Sequence, residues 1–253
     1  MNHKDNALLR AGLLFIGLLL GFPALATYDE GEAAYRQGDH ARAFASFKSA
    51  AEAGDIRAQL RLGAMYVKGY GTKMNDAEAM AWYQRAAKAN GALSYATPLA
   101  EQGDAPAQVV LGIILGAGIG VRADPHESLS WFWKAADQGD TTAMVAVGAA
   151  LGRGVGTTRG RAQAMTWFRK AADLGSLLGM DSMGVMLASS PETDMEAVKW
   201  FRAAAERGYA NAQVNLAEMY RFGRGVPKDE ERAMFWYRKA AAQGNPRALT
   251  EVE

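Results

Sequence analysis

Apolar positions along this chain fall in blocks at helical spacing, and one block recurs five times around a pair of rings: Trp82-Tyr83, Trp131-Phe132, Trp167-Phe168, Trp200-Phe201 and Trp236-Tyr237. Three residues before each Trp stands a small residue (Ala79, Ser128, Ala164, Ala197, Ala233). Four after it stands an alanine (Ala86, Ala135, Ala171, Ala204, Ala240). Offsets of three, four and seven mark one face of an α-helix. The pattern therefore predicts helices whose Trp rings lie in the core beside small residues that let neighbouring helices approach. A glycine ends four of the copies (Gly139, Gly175, Gly208, Gly244), and Asn90 holds that place in the copy around Trp82. Both residue types suit the left-handed conformation that stops a helix.

The interval between stops is 36 residues from Gly54 to Asn90, from Gly103 to Gly139, from Gly139 to Gly175 and from Gly208 to Gly244, and 33 from Gly175 to Gly208. A period of this size predicts a solenoid of stacked helical units. Each unit should open with a first helix carrying a bulky–small pair (Leu62-Gly63, Leu111-Gly112, Val147-Gly148, Met183-Gly184, Leu216-Ala217) and a large residue three places on (Tyr66, Leu115, Leu151, Leu187, Tyr220). Gly-x-Gly loops follow at Gly69 and Gly71, Gly116 and Gly118, Gly152 and Gly154, and Gly223 and Gly225. The second helix then carries the ring pair. An incomplete unit precedes these, with a helix over 30–36, a turn at Gly38-Asp39, and a second helix over 41–53 capped by Asp39.

Two units depart from the pattern. Residues 91–103 are inserted after Asn90, and Thr97-Pro98 there predicts a short extra helix with proline at its first position. The unit from Ser176 to Gly208 lacks three residues and its Gly-x-Gly loop, replaced by Ser189-Ser190-Pro191-Glu192-Thr193. Either change would shape the groove of the stack, and either is equally compatible with sequence drift.

The run Ala212-x-x-x-Leu216-Ala217-x-x-Tyr220-x-x-Gly223-x-Gly225-Val226, followed by Ala233-x-x-Trp236-Tyr237-x-Lys239-Ala240-Ala241-x-x-Gly244, resembles a SEL-one-like repeat, a relative of the tetratricopeptide repeats. The resemblance covers about residues 55–244. It implies an all-α fold, an α/α right-handed superhelical solenoid, used as a protein-interaction scaffold. The organisation it suggests is a tetratricopeptide-like partial repeat over 27–54, five SEL-one-like repeats over 55–244, and a C-terminal cap over 245–253. Exported members of similar build include immunity proteins that occlude a secreted toxin. Others act in envelope signalling and polysaccharide production.

The N-terminus reads separately. Lys4 and Arg10 precede an apolar run from Ala11 to Phe22, then Pro23-Ala24-Leu25-Ala26. A basic start, a short apolar core and a small-x-small ending predict a secretory signal peptide over 1–26. The run is shorter than the roughly 20 apolar residues of a spanning helix, so no stable membrane insertion is expected after cleavage. The remaining chain would carry 26 basic and 26 acidic residues, a balance that argues against nucleic acid and against a polybasic membrane patch. Cysteine is absent, so stability must come from stacking rather than disulfides, and the Cys of a bacterial lipoprotein is missing too. The expectation is a periplasmic protein, with secretion as the second choice, monomeric until it meets its partner.

Candidate chemistry is sparse. Past residue 26 the only histidines are His40 and His126, so zinc sites of His/Cys type and Cys–His nucleophiles are not expected, and no metal or cofactor is assigned. His126 follows Asp124-Pro125 at a helix start, an ordinary surface place. Met180-Asp181-Ser182-Met183-Gly184 lacks the first glycine of a nucleophile elbow, and no Ser-x-x-Lys occurs. The Gly-x-Gly loops follow helices and lack Gly-Lys-Ser/Thr, so they read as turns, not phosphate cradles. Asp229, Glu230 and Glu231 suit a helix N-terminus. No catalytic residues are assigned.

In tetratricopeptide relatives the first helices line the concave face. By that resemblance the positions two before and two after the bulky residue point inward: Leu60 and Ala64, Val109 and Ile113, Val145 and Ala149, Asp181 and Val185, Val214 and Glu218. This mostly apolar row suits an extended segment or helix of another protein. The same residues would equally pack between units, because a shift of one residue in helix phase reverses the two readings. Trp133 lies off the repeated face, where other units carry Arg169, Arg202 and Arg238; it joins the row as a candidate contact, with packing against the insertion over 91–103 as the equal alternative. The reading is a non-catalytic scaffold for a protein or peptide partner. A cell-wall or β-lactam hydrolase and a glycan-binding module are the rivals.

Overall fold

A computed structural model describes residues 27–252, so the expected signal peptide lies outside the described residues. Among the described residues fourteen α-helices follow one another: α1 Tyr28–Arg36, α2 His40–Glu52, α3 Ile56–Lys68, α4 Asp76–Lys88, α5 Ala92–Glu101, α6 Ala105–Ala117, α7 Pro125–Asp137, α8 Thr141–Arg153, α9 Arg161–Asp173, α10 Leu177–Leu187, α11 Asp194–Glu206, α12 Ala210–Phe222, α13 Glu230–Ala241 and α14 Pro246–Val252. Each packs chiefly on its sequence neighbours, which makes the fold an all-α, α/α solenoid. The first helices are α1, α3, α6, α8, α10, α12 and α14. The rest are second helices.

Short polar side chains start most of these helices, the expected Asp39 among them. Asp55, Asp104, Asp140 and Ser176 each accept a backbone N–H in the first turn of a first helix, and Asp39, Asn75, Asp124 and Asp229 do so for second helices. A second recurring bond ties the units together. The amides of Gln59, Gln108 and Gln213 donate to Ala51 O, Ala100 O and Ala205 O, carbonyls at the end of the preceding helix, at 3.1–3.2 Å. The sequence repeats glutamine at this place, but its role emerges only from the fold.

The ring that fills the joint within each unit is the second of the pair. Tyr83, Phe168, Phe201 and Tyr237 are buried, whereas Trp167, Trp200 and Trp236 are half-buried. This corrects the expectation that every Trp is core, although Trp82 and Trp131 are buried. The cause is a notch on the first helix. A Cβ added to Gly148 would lie 2.6 Å from Phe168 Cε1, and Gly184 meets Phe201 at 2.5 Å in the same way. Successive residues of a helix point about 100° apart, so only one of two adjacent rings enters the notch. The other lies at the rim under a cation, as Trp167 does with Lys170 Nζ 4.1 Å above its ring.

The left-handed residues correct three further readings. Gly91, at φ 79°, holds the turn after α4, not Asn90. In two loops the left-handed pairs are Gly118 with Gly120 and Gly154 with Gly156, because Gly116 and Gly152 still belong to α6 and α8. The inserted helix starts at Ala92 rather than at Thr97, so Pro98 sits inside it. This helix packs on α6 as a second helix packs on the next unit, while α4 contacts α3 and α6 and also reaches α8 and α10. The shortened unit turns through a 3-10 segment at Pro191–Thr193.

Candidate partner-binding face

The second helices leave one side of each first helix uncovered. Along α3 that side carries Arg57, Arg61, Ala64 and Lys68, at helical offsets of four, seven and eleven. The same places hold Ile113 and Ala117 on α6, Ala146, Ala149 and Arg153 on α8, Leu178, Ser182 and Val185 on α10, and Asn211, Asn215, Glu218 and Phe222 on α12. Val185 is 52% exposed and Phe222 65%.

The predicted row divides on this face. Ala64, Ile113, Ala149 and Glu218 are half-buried on the open stripe, and Val185 is fully on it. Leu60, Val109, Val145, Asp181 and Val214 are buried at the edge of the stripe. In four units the position one before the bulky residue (Arg61, Ala146, Ser182, Asn215) is more open than the position two before it, a phase shift of one residue, whereas Val110 on α6 is as buried as Val109. Trp133, 37% exposed, lies on a second helix, α7, and so belongs to a different helix layer.

Towards the N-terminus the inserted helix builds a cleft of about 110 Å³ with Tyr28, Arg57, Arg61, Tyr95, Leu99 and Asp104 on its walls. Its cations are already engaged. Arg57 Nη2 lies 2.7 Å from Asp55 and its guanidinium 4.3 Å over the Tyr28 ring, while Arg61 Nε lies 2.8 Å from Glu32. Tyr28 donates to the same Glu32 oxygen at 3.0 Å. The cleft therefore joins the first two units to the insertion.

The centre is held from α4. Asp76, buried at the first position of that helix, accepts from Thr141 Oγ1 at 2.6 Å and Ser176 Oγ at 2.8 Å. Tyr83 donates to Asp140 Oδ2 at 3.3 Å, and burial pushes the Tyr83 hydroxyl well above its ordinary pKa. Burial also raises Asp140, against the hydrogen bonds it accepts from Thr142, Ala143 N–H and Tyr83. Nothing in the sequence pattern marks Asp76, because its partners lie 65 and 100 residues away.

On the C-terminal half the stripe becomes polar. Asn215 Nδ2 donates to Asp181 Oδ1 at 2.8 Å, Arg247 donates to Asn215 Oδ1 at 3.4 Å and pairs with Glu218, and Asn245 donates to Asn211 Oδ1 at 2.7 Å. Burial raises Asp181 to a pKa of about 6, opposed by Asn215 and by the charge of Arg247. Tyr209 is raised to about 12, first by burial and then by the charge of Asp181. Among the described residues no group of three or more His, Cys, Asp or Glu is placed to hold a metal ion, and no helix is long and apolar enough to cross a membrane.

The Sel1 repeat profile matches residues 20–55, 56–91, 105–140, 141–176, 194–209 and 210–245, most of the chain. The chain belongs to the Sel1 repeat family. The first Sel1 match takes in α1 and α2, so the unit read as incomplete is also recognised as a repeat. The gaps between Sel1 matches hold the inserted helix and all of α10, including Asp181 and Val185.

Among solved structures, c5321, a protective antigen of uropathogenic Escherichia coli with the SLR fold, is 30% identical with a TM-score of 0.59, covering 89% of this chain and 47% of that one. A Sel1 repeat protein from Oxalobacter formigenes is 29% identical with a TM-score of 0.59, covering 88% and 84%. The immunity protein Pa5087 from Pseudomonas aeruginosa shares the fold at 20% identity, with a TM-score of 0.50 and coverage of 77% and 68%. The curated chitin synthase regulatory factor 3 of Schizosaccharomyces pombe is 40% identical over 63 residues, and the chitin synthase regulator SKT5 of Malassezia restricta 36% over 62. Those matches cover about a quarter of this chain and 7% and 4% of the two regulators.

Proposed function

We propose that this protein is a non-catalytic scaffold that holds a segment of another protein along the open stripe of its first helices. The observation that carries the reading is that stripe itself. It is shared by successive units, open on the side away from the second helices, apolar through Ile113, Ala149 and Val185, and bounded by charged and amide side chains. Apolar anchors inside a polar margin suit a helix or an extended segment.

The basic start, short apolar run and small-x-small ending of the first 26 residues support a periplasmic location, where a secreted toxin or an envelope regulator would be the partner. The fold shared with Pa5087 is a likeness of architecture, and toxin neutralisation is one outcome for the experiment to decide.

The experiment is capture from periplasmic and secreted fractions with the chain from Thr27, beside Val185→Glu. Val185 is the better place for the charge, because the alternative, Val145, is only 8% exposed and a glutamate there would break the fold. One abundant protein held by the unsubstituted chain and lost by Val185→Glu supports the reading. Capture of no protein overturns it. N-terminal sequencing of the exported protein, expected to start at Thr27, checks the compartment.

A further inference from the structure

Asp181 stands out among the buried groups beside the stripe. The equivalent places in other units hold Leu60, Val109, Val145 and Val214, so this unit alone puts a carboxylate where the repeat otherwise puts an aliphatic side chain. The residue is 7% exposed. One oxygen accepts from Asn215 Nδ2 at 2.8 Å. Among the described residues the other oxygen accepts no hydrogen bond, and it is not sealed from solvent.

The charged surroundings do not supply a counter-ion. Arg247 of α14 reaches Asp181 through its field, but its guanidinium is bound to Glu218 of α12. Tyr209, at the head of α12, is the nearby titratable group, with Asp76 of α4 acting on Tyr209 from the other side. Among the described residues no charged side chain of α8, α9 or α11 acts on Asp181. Burying most of a carboxylate without a paired cation is costly, and this burial raises the Asp181 pKa to about 6 against the opposing pull of Asn215 and Arg247. Leu178 and Val185, one turn to either side on the same helix face, give an apolar approach to it.

We propose that Asp181 is the specificity anchor of the stripe, and that its carboxylate receives the ammonium or guanidinium of a lysine or arginine on the partner segment. The aliphatic stem of such a side chain lies along Leu178 and Val185 while the charged end reaches the free oxygen. The proposal rests on reading the stripe as a partner-binding face. It adds the chemistry of the partner: a basic side chain within an otherwise apolar segment.

The test is selection of phage-displayed random heptapeptides on the chain from Thr27 at pH 7.5, in parallel with Asp181→Asn and Asp181→Val. The valine variant restores the side chain found at Val145 and Val214, and circular dichroism establishes that both variants fold. The expected result is a family of peptides with lysine or arginine at one fixed position on the unsubstituted protein, and no such preference on either variant. Affinity of a selected peptide falls about tenfold from pH 7.5 to pH 5 as the carboxyl takes up its proton, and stays flat with Asp181→Asn. Peptides that bind all three proteins equally, without a basic position, overturn the anchor and leave the scaffold standing. If no peptide is enriched on any of the three, the scaffold reading fails and the anchor fails with it.

Discussion

Ser176 donates a hydrogen bond to Asp76 at 2.8 Å across 100 residues of chain. Ser176 is itself the N-cap of α10, receiving Gly179 N–H at 2.8 Å, so one hydroxyl joins the start of α4 to the start of another helix three units on. Thr141, first residue of α8, fills the second Asp76 oxygen. Replacing Asp76 by alanine leaves two buried hydroxyls without their acceptor. The expected loss is about 3 kcal/mol, read as a lower urea midpoint, with Asp76→Asn costing less because it keeps one acceptor. Hydrogen exchange should quicken at the N-terminal turns of both α8 and α10, far from the substitution in sequence.

The ring pair makes a second expectation. Phe168 fills the Gly148 notch and is buried, so Phe168→Ala should cost about 3–5 kcal/mol. Trp167 is half-buried at the rim, and truncating it should cost less, with part of the loss coming from the Lys170 contact, about 0.5–1 kcal/mol. Equilibrium denaturation of the two variants orders them. A larger loss at Trp167 would show that the rim, not the notch, holds the unit together.

Gly156 and Gly120 form a matched pair in the loops. Both have φ 69°, so alanine is strained equally at each. A Cβ at Gly156 collides with the Pro125 carbonyl of the preceding second helix, whereas one at Gly120 meets nothing within 4 Å. Gly156→Ala should therefore lose about 1–3 kcal/mol more than Gly120→Ala in thermal or urea melts. Equal losses would mean that the loop yields without disturbing the stack.

Asp181 predicts a dependence on pH with a definite sign. Its folded carboxyl titrates near pH 6 against an ordinary 3.8, so the native state holds the proton more tightly than the unfolded chain. This group therefore favours folding below about pH 4 and progressively opposes it as the pH rises through 6, by up to ~3 kcal/mol. Asp181→Asn should raise the melting temperature at pH 7.5, and the gain should shrink as the pH falls towards 4. A gain that is the same at both values would point to a cause other than the buried charge.

Much of the architecture is local and was readable before any fold was known. The 36-residue spacing, the small residues around each ring pair, the cap at Asp39 and the stops at Gly139, Gly175, Gly208 and Gly244 act within one or two helical turns or between adjacent helices. Such interactions repeat whenever the residues repeat, so composition and spacing were enough to define helix pairs stacked into a solenoid. What the tertiary structure alone decided depends on angle and on distance through space. Which of Trp167 and Phe168 enters the notch turns on a rotation of about 100°. The same rotation puts Val145 at the edge of the open stripe and Ala146 on it. The insertion could be seen in sequence, but not that it forms a helix from Ala92, nor that α4 reaches Thr141 and Ser176. Those contacts arise because the path of the whole stack returns one unit to others far along the chain, and a periodic sequence carries no record of that path.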